Sequence, residues 1–151
     1  MSSVKLNKMI EKLQLVNLVP EVSTDEIEIS SPEINRPALQ LAGYFEHFAS
    51  ERVQIIGYVE YTYLKSLDRD VKMANYEQFL SSDIPCVIYS TRTEPDEDMI
   101  ELAKKYHKPL LSSHRITSDL MAEVIRWLGV ELAPCISIHG VLMDVYGEGI
   151  L

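Results

Sequence analysis

His139 is the residue of this 151-residue chain whose type and position best suit chemistry. It precedes Gly140 in a turn predicted between two short strands, so its imidazole would project from the end of a sheet toward a ligand. Imidazole titrates near neutral pH, which suits either proton transfer or contact with a phosphate. The residues alone favour a simpler interpretation, a turn histidine bonded to backbone, because they assign no carboxylate or nucleophile near it.

Other polar and aromatic groups make weaker candidates for a site. His114 and Arg115 could contact an anion, although a solvated loop explains the pair more simply. Arg36, before Pro37, could present its guanidinium to an acidic group, and a structural turn fits equally well. Three closely spaced tyrosines suggest an amphipathic contact strip, which packing in the core or against another domain explains better than ligand stacking. These are Tyr58, Tyr61 and Tyr63.

Cys86 and Cys135 are predicted to be buried free thiols rather than a disulfide or a metal pair. They lie far apart in apolar, strand-like runs, and the one histidine near either of them, His139, sits in a strand and turn that need not bring the side chains together. We therefore expect no metal site. The sequence also contains no GxxxxGK[ST], GxSxG, HExxH or CxxC motif, so no cofactor-binding residue is expected within this chain.

Composition is that of an ordinary soluble globular protein, with 46% hydrophobic and 25% charged residues. The formal net charge of −9 argues against nucleic acid or an anionic membrane as a partner, because both attract clustered positive charge. No apolar run approaches the ~20 residues that span a bilayer. The first residues lack the apolar block of a secretory signal, so the expected location is the cytoplasm.

The first half of the chain predicts a mixture of helices and strands. Helical spacing of apolar residues predicts helices over residues 4–13, 38–44, 58–67 and 68–80. Apolar runs predict a short strand over residues 27–29 and a buried strand over residues 52–57. Ser2 or Ser3 would cap the first helix, and the acidic residues around the first strand indicate a solvated edge rather than a cation site.

The second half alternates strand and helix. Strands are predicted over residues 84–89 and from residue 110, each followed by a helix. The first of these helices should have Thr93 or Glu94 as its amino-terminal cap. The second should have Thr117 or Ser118 as its cap and should end at Gly129. This alternation predicts a parallel sheet with right-handed crossovers. The predicted fold class is α/β, a three-layer-like domain with a mainly parallel sheet flanked by helices, over residues 1–132.

Residues 133–151 predict the opening strands of a second domain. Alternating apolar residues mark two strands on either side of the turn at His139, and Gly147 and Gly149 signal another turn. Ile150 and Leu151 would then open a third strand. Because strands average about 5–6 residues, we expect this second domain to be truncated.

Three segments resemble the amino-terminal half of bacterial HPr kinase/phosphorylase: residues 33–45, 52–57 and 138–147. The His-Gly-Val-Leu segment followed by Asp-Val-Tyr-Gly is the most specific of them. In that family it leads directly into the phosphate-binding loop of the catalytic domain. The resemblance implies a fold like the first domain of Mur ligases. Ala38 departs from the glycine that often follows Arg-Pro in the family, which argues against left-handed backbone there.

The same resemblance implies a function. The parent protein would use ATP or pyrophosphate to phosphorylate a serine of HPr, a small carrier of the sugar phosphotransferase system. It would also remove that phosphate by phosphorolysis, and so regulate carbon catabolite repression. The family is a cytoplasmic homohexamer that binds Mg²⁺ and ATP at a site expected beyond Leu151. Its active-site histidine corresponds to His139. The present chain is expected to be an inactive assembly or regulatory domain.

A second hypothesis is a stand-alone ligand-sensing α/β module. Its support is the cleft expected where parallel strands end, near residues 90–92 and 112–115. A self-contained hydrolase centred on His139 is the third possibility, and it has no nucleophile to support it.

Overall fold

A computed structural model describes residues 2–134, and a five-stranded sheet forms its centre. The strands are β1 Val4–Lys5, β2 Val16–Asn17, β3 Glu28–Ile29, β4 Ile34–Asn35, β5 Val53–Ile56, β6 Val87–Tyr89 and β7 Leu110–Ser112. The helices are α1 Leu6–Leu13, α2 Ala38–Leu41, α3 Tyr58–Lys65, α4 Arg69–Leu80, α5 Glu97–Tyr106 and α6 Thr117–Glu131. Ala38 lies in α2, so the expected absence of left-handed backbone there is confirmed.

The central sheet has the order β2-β7-β6-β5-β4, in which β4 to β7 are parallel and β2 is an antiparallel edge. A separate antiparallel pair joins β1 to β3. The prediction of a mainly parallel sheet is confirmed. Strand β2 was not predicted because it has two residues and its register depends on a distant partner, with Val16 opposite Ser112.

Helices cover both faces of the sheet, which confirms the predicted three layers. Alternate strand residues point to opposite faces. On one face Ile55 and Ile88 pack against α1 and α6, and on the other Ile56 and Val87 pack against α2 to α5. Because both faces are covered, β5 and β6 are buried along their whole length, which is typical of parallel strands. The likeness to Mur ligases remains a prediction.

The start of α1 differs from its prediction. The helix begins at Leu6 rather than Val4, because Val4 and Lys5 pair with β3. The predicted cap is also wrong. The Ser2 hydroxyl donates to the Leu132 carbonyl at 3.2 Å, and the Ser3 hydroxyl bonds to Glu28. Pairing with β3 thus keeps Val4 and Lys5 out of α1, although helical spacing of apolar residues alone would include them.

The caps of α5 and α6 also differ from their predictions. The Thr93 hydroxyl donates to the Ser90 carbonyl at 2.7 Å, and Asp96 caps α5 instead. Thr117 is the first residue of α6 and its hydroxyl lies 2.8 Å from that of Ser90, so it bonds across the sheet edge instead of capping the helix. Gly129 does not end α6, which continues to Glu131.

Asp96 joins α5 to α4 as well as capping it. Its Oδ1 accepts the Met99 backbone N–H at 2.8 Å. Its Oδ2 accepts bonds from Lys72 Nζ at 2.8 Å and from the Tyr76 hydroxyl at 2.9 Å. The Tyr76 side chain is almost fully buried, so its hydroxyl depends on this carboxylate for a partner.

The junction between β5 and α3 requires a glycine. The Gly57 N–H donates to Glu60 Oε1 at 2.7 Å, and the same oxygen accepts a bond from Arg36 Nη2 at 2.7 Å. A Cβ added at Gly57 would lie 2.7 Å from Thr117 and 2.8 Å from Arg36. Gly57 therefore permits the close approach of β5, α3 and α6.

Cys86 is a buried free thiol, as predicted, and burial raises its pKa to about 12. Cys135 lies outside the described residues. The predicted domain boundary at residue 132 remains a prediction, since residues 135–151 lie outside them too. Within residues 2–134 no helix is long and apolar enough to cross a bilayer.

Substitution by alanine should have opposite effects on stability at Gly57 and at Gly129. Gly57→Ala should lower the free energy of unfolding by about 1–3 kcal/mol, because its methyl group overpacks the junction. Gly129→Ala should raise it by about 0.5–1 kcal/mol, since nothing lies within 4 Å of the added Cβ in the middle of a helix. Urea unfolding followed by circular dichroism measures both. Equal effects of the two substitutions would contradict this account of Gly57.

Asp96→Ala should lower the free energy of unfolding by about 2–3 kcal/mol, because it removes a helix cap and leaves the buried Tyr76 hydroxyl unpaired. Urea unfolding at neutral pH is the measurement.

Asp98→Ala is the matched control for this substitution. Asp98 lies in the same helix turn and pairs with the exposed guanidinium of Arg69. An exposed ion pair contributes little to stability, so this variant should unfold close to the parent midpoint. The Arg69–Asp98 pair also joins α4 to α5, but at the surface. Indistinguishable midpoints for Asp96→Ala and Asp98→Ala would show that the cap and the buried bond of Asp96 add nothing beyond such an exposed link.

Candidate functional site

The carboxyl ends of the parallel strands form the candidate site, and we call this region the carboxyl edge: residues 57–60, 89–96 and 113–118. Two contacts tie its loops together. The Thr91 N–H donates to the Arg115 carbonyl at 2.8 Å, and the Ser90 and Thr117 hydroxyls lie 2.8 Å apart. Ligands of open α/β sheets bind at such an edge, where loops leave the strands.

A groove runs along one side of the carboxyl edge. It has a volume of about 530 Å³ and is lined by Tyr58, Thr91, Arg92, Ile116 and Thr117. Arg92 has left-handed backbone with φ of 67°. The cleft predicted near residues 90–92 and 112–115 is thus present, although residues 116 and 117 line it in place of residues 112–115.

Arg36 and Arg115 are both engaged by the protein itself. Arg36 Nη2 bonds to Glu60, whose side chain is 4% exposed, so the acidic partner is internal. The Arg115 guanidinium donates to the Leu13 carbonyl at 2.7 Å, at the end of α1. Of the two alternatives left open for Arg36, this internal pair favours the structural one, because the acidic group that its guanidinium meets belongs to the fold. Arg115 points away from the groove, so His114 and Arg115 form no joint anion site among the described residues.

A second cavity lies on the α3 and α4 side of β6, and we call it the β6 pocket. Its volume is about 260 Å³. Its lining combines two lysines, two carboxylates, three tyrosines and two apolar residues: Lys65, Lys72, Glu94, Asp96, Tyr61, Tyr76, Tyr89, Leu64 and Pro95. Burial raises the pKa of both Tyr76 and Tyr89, so both phenols are neutral at physiological pH.

Sequence reasoning missed the β6 pocket. Its residues come from two helices, one strand and one loop that are distant in sequence. The one local signal is the tyrosine that ends the otherwise aliphatic run Val87-Ile88-Tyr89. A phenol at the end of a buried strand can turn its hydroxyl toward the strand end, where a ligand has access.

The tyrosine strip is exposed rather than packed in the core. Tyr58 is 59% exposed, and its ring centroid lies 6.1 Å from that of Tyr61. Lys65 Nζ lies 4.4 Å from the Tyr61 centroid, in a cation–π contact. Tyr63 is also exposed. The core interpretation is wrong, and contact with another domain remains a prediction.

His139 lies outside the described residues, so its catalytic role remains a prediction. Within residues 2–134 no group of three or more histidine, cysteine, aspartate or glutamate side chains is placed to hold a metal ion. The polar clusters of this region serve mainly to join its elements.

Comparison with known proteins gives a family. A family model described as HPr Serine kinase N terminus matches residues 4–128. The HPr kinase/phosphorylase of Lachnoclostridium phytofermentans is 48% identical over 151 residues, which are 100% of this chain and 49% of that protein. That of Alkaliphilus metalliredigens is 42% identical over 151 residues, 100% of this chain and 48% of that protein. The chain thus spans about half the length of the curated relatives it matches.

One solved structure shows a more distant similarity. The CBS and DRTGG domains of the regulatory region of Clostridium perfringens pyrophosphatase, in complex with the activator diadenosine tetraphosphate, align with a TM-score of 0.48 and 16% identity, over 81% of this chain and 46% of that chain. That similarity is too weak to inform function. The family match, by contrast, extends from β1 into α6. The chain belongs to the HPr serine kinase N-terminal domain family.

Proposed function

We propose that this chain is the amino-terminal assembly or regulatory domain of an HPr kinase/phosphorylase and does not itself transfer phosphate. The observation that carries the proposal is the family match over residues 4–128, together with whole-chain similarity to relatives named HPr kinase/phosphorylase. The parent protein would phosphorylate a serine of HPr with ATP or pyrophosphate and reverse the reaction by phosphorolysis. It would thereby regulate carbon catabolite repression in the cytoplasm.

The requirements of phosphoryl transfer support the proposal that the ATP site of the parent protein lies outside this chain. That reaction needs a loop that holds the phosphates and a site for Mg²⁺. The 151 residues contain no GxxxxGK[ST] motif, and residues 2–134 offer no cluster of metal ligands. The ATP and Mg²⁺ sites would therefore lie in the portion of the relatives that this chain does not cover, with His139 as the catalytic group that this chain contributes.

Exposed apolar side chains at the carboxyl edge support a role in assembly. Val59 is 68% exposed and Ile116 is 55% exposed, and both lie beside Tyr58 along a shallow groove. Contiguous apolar surface on a protein commonly marks an interaction site. Such a surface suits contact with another part of a homohexamer, and the net charge of −9 suits neither nucleic acid nor an anionic membrane.

A stand-alone ligand-sensing module is the second candidate function. The open groove of about 530 Å³ beside Arg92 favours it, because grooves at this edge of a parallel sheet bind ligands in many α/β proteins. A stand-alone module would have no effect on phosphoryl transfer to HPr, which separates it from the first proposal.

A chimera tests the first proposal directly. The matching half of the Lachnoclostridium phytofermentans enzyme is replaced by this chain, which is 48% identical to it. We expect the chimera to phosphorylate HPr with ATP. When inorganic phosphate is added, the chimera should transfer the phosphoryl group from HPr to it, which forms pyrophosphate. The isolated 151-residue chain should leave HPr unmodified. Mass spectrometry of HPr measures both reactions.

Two results would contradict the proposal. The isolated chain phosphorylating HPr would show that it holds its own nucleotide site. A chimera that folds and forms oligomers like the parent enzyme, yet leaves HPr unmodified, would show that this chain does not serve as its amino-terminal half.

His139→Ala in the chimera should lower the rate of HPr phosphorylation by about 10²–10⁴-fold, the usual contribution of a general acid or base. His114→Ala is the control, because His114 is exposed in the loop after β7 and lies in neither groove nor pocket. Initial rates at saturating ATP are compared. Equal rates for the two variants would remove His139 from the chemistry.

A further inference from the structure

The β6 pocket contains a tyrosine hydroxyl that is open to the cavity. Tyr89 ends β6 with 1% of its surface exposed, and it lines the pocket. Within residues 2–134 its hydroxyl makes no hydrogen bond, whereas the neighbouring Tyr76 hydroxyl donates to Asp96 at 2.9 Å. This hydroxyl is not among the fully buried polar atoms of residues 2–134 that lack a partner, so solvent in the pocket reaches it. A ligand in the pocket would replace that solvent and accept the hydrogen bond.

Lys72 adds further donors to the floor of the pocket. Its side chain is 16% exposed, and its Nζ lies 2.8 Å from Asp96 Oδ2. An ammonium group has three N–H donors, and the bond to Asp96 uses one of them. Its Nζ also lies 5.8 Å from the ring centroid of Tyr76, so the charge is held beside the phenols.

The Asp96 carboxylate on the floor is nearly saturated with hydrogen bonds. The Asp96 carboxylate already accepts bonds from Met99, Lys72 and Tyr76, and a carboxylate has about four lone-pair sites. Two N–H groups of Lys72 and the O–H of Tyr89 remain as donors beside it, while the phenol oxygens of Tyr76 and Tyr89 keep lone pairs of their own. A charged ammonium and a hydroxyl on one floor suit an acceptor group such as a carboxylate or a phosphate.

The entrance and the size of the pocket limit the ligand further. Lys65, over the Tyr61 ring at 4.4 Å, supplies a second positive charge at the mouth. Asp96 and the exposed Glu94 oppose a ligand with many negative charges. The volume of about 260 Å³ falls below the range of ~300–1,000 Å³ for drug-sized ligands, so the ligand is compact.

We propose that the β6 pocket binds a compact organic anion through one carboxylate or phosphate monoester group, which Lys72 and the Tyr89 hydroxyl hold. Leu64, Pro95 and the Tyr61 ring would contact its carbon skeleton. The high pKa of Tyr89, raised by burial and by the charge of Asp96, keeps the hydroxyl protonated and able to donate. This site lies wholly within residues 2–134 and does not depend on the proposed role in HPr phosphorylation.

Two-dimensional ¹⁵N NMR of the 151-residue chain tests the site. Methyl phosphate and glycolate are titrated separately at constant ionic strength, with glycerol as the neutral probe. We expect saturable shifts of residues 89–96 and of Lys72 with at least one anion and none with glycerol. If methyl phosphate alone saturates, the site binds a phosphate monoester group. If glycolate alone saturates, the site binds a carboxylate. If both saturate, the site accepts either anion.

Tyr89→Phe should weaken the binding about tenfold, the loss expected for one hydrogen bond to a charged group. This variant leaves the bonds of Asp96 intact, so the fold is retained, and a thermal melt checks it. Lys72→Gln should weaken the binding at least as much. If Lys72→Gln fails to fold, the Tyr89→Phe result decides.

Lys105→Gln is the matched control. Lys105 Nζ lies 5.1 Å from the Tyr106 centroid and 3.5 Å from Glu77. Like Lys72, it therefore has a tyrosine and a carboxylate beside it, but it lies outside the pocket. Its binding constants should equal those of the parent chain. The proposal is overturned if neither anion gives saturable shifts at residues 89–96, if Tyr89→Phe binds as tightly as the parent, or if Lys105→Gln weakens binding equally. HPr phosphorylation by the chimera is a separate measurement, so either idea can fail alone.

Discussion

Burial of β5 and β6 on both faces is the constraint on which the rest of this structure depends. A strand buried on both sides must have each backbone polar group paired with a neighbouring strand, and its side chains must pack against a layer on each face. Helices α1 and α6 cover one face and α2 to α5 cover the other. Polar chemistry is thereby displaced to the strand ends, where both the groove and the β6 pocket are found.

Polar groups that do enter the interior are joined to one another. Gln54, fully buried in β5, accepts a bond from Asn35 at 2.7 Å and donates to the Arg52 carbonyl at 2.8 Å. The Glu60 carboxylate holds both Arg36 and the backbone of Gly57. Two buried guanidinium nitrogens, the Nε atoms of Arg36 and Arg52, have no partner among residues 2–134, although each guanidinium is anchored to a glutamate through another nitrogen. The Tyr89 hydroxyl differs from these groups because it opens into a cavity.

The family relationship and the pocket give complementary views of the chain. The relatives named HPr kinase/phosphorylase are about twice as long as this chain. The three-layer domain has exposed apolar side chains at one edge and a small pocket with charged lining nearby. Binding at the floor of β6 would act on Asp96, which joins α4 to α5, and so on the packing of that whole face. A ligand that orders one such joint can shift the relative stability of two arrangements only by its difference in affinity for them.

Local patterns were enough to predict the α/β class, the mainly parallel sheet, and the positions of α3 and α4 within two residues. These features follow from apolar periodicity and from apolar runs, which short stretches of chain contain. The family came from the resemblance of three segments to a known one and not from periodicity. The caps were harder to predict. Thr93 and Thr117 look like helix caps, but the Thr93 hydroxyl bonds to the Ser90 carbonyl within the same loop, and the Thr117 hydroxyl bonds to that of Ser90 across the sheet edge. Val4 and Lys5 fit a helix until β3 pairs with them, and β2 acquires its register only from β7. The β6 pocket lay furthest from prediction, because its lysines, tyrosines and carboxylates come from α3, α4, β6 and the loop before α5. These groups form a site only once packing has brought the four segments together.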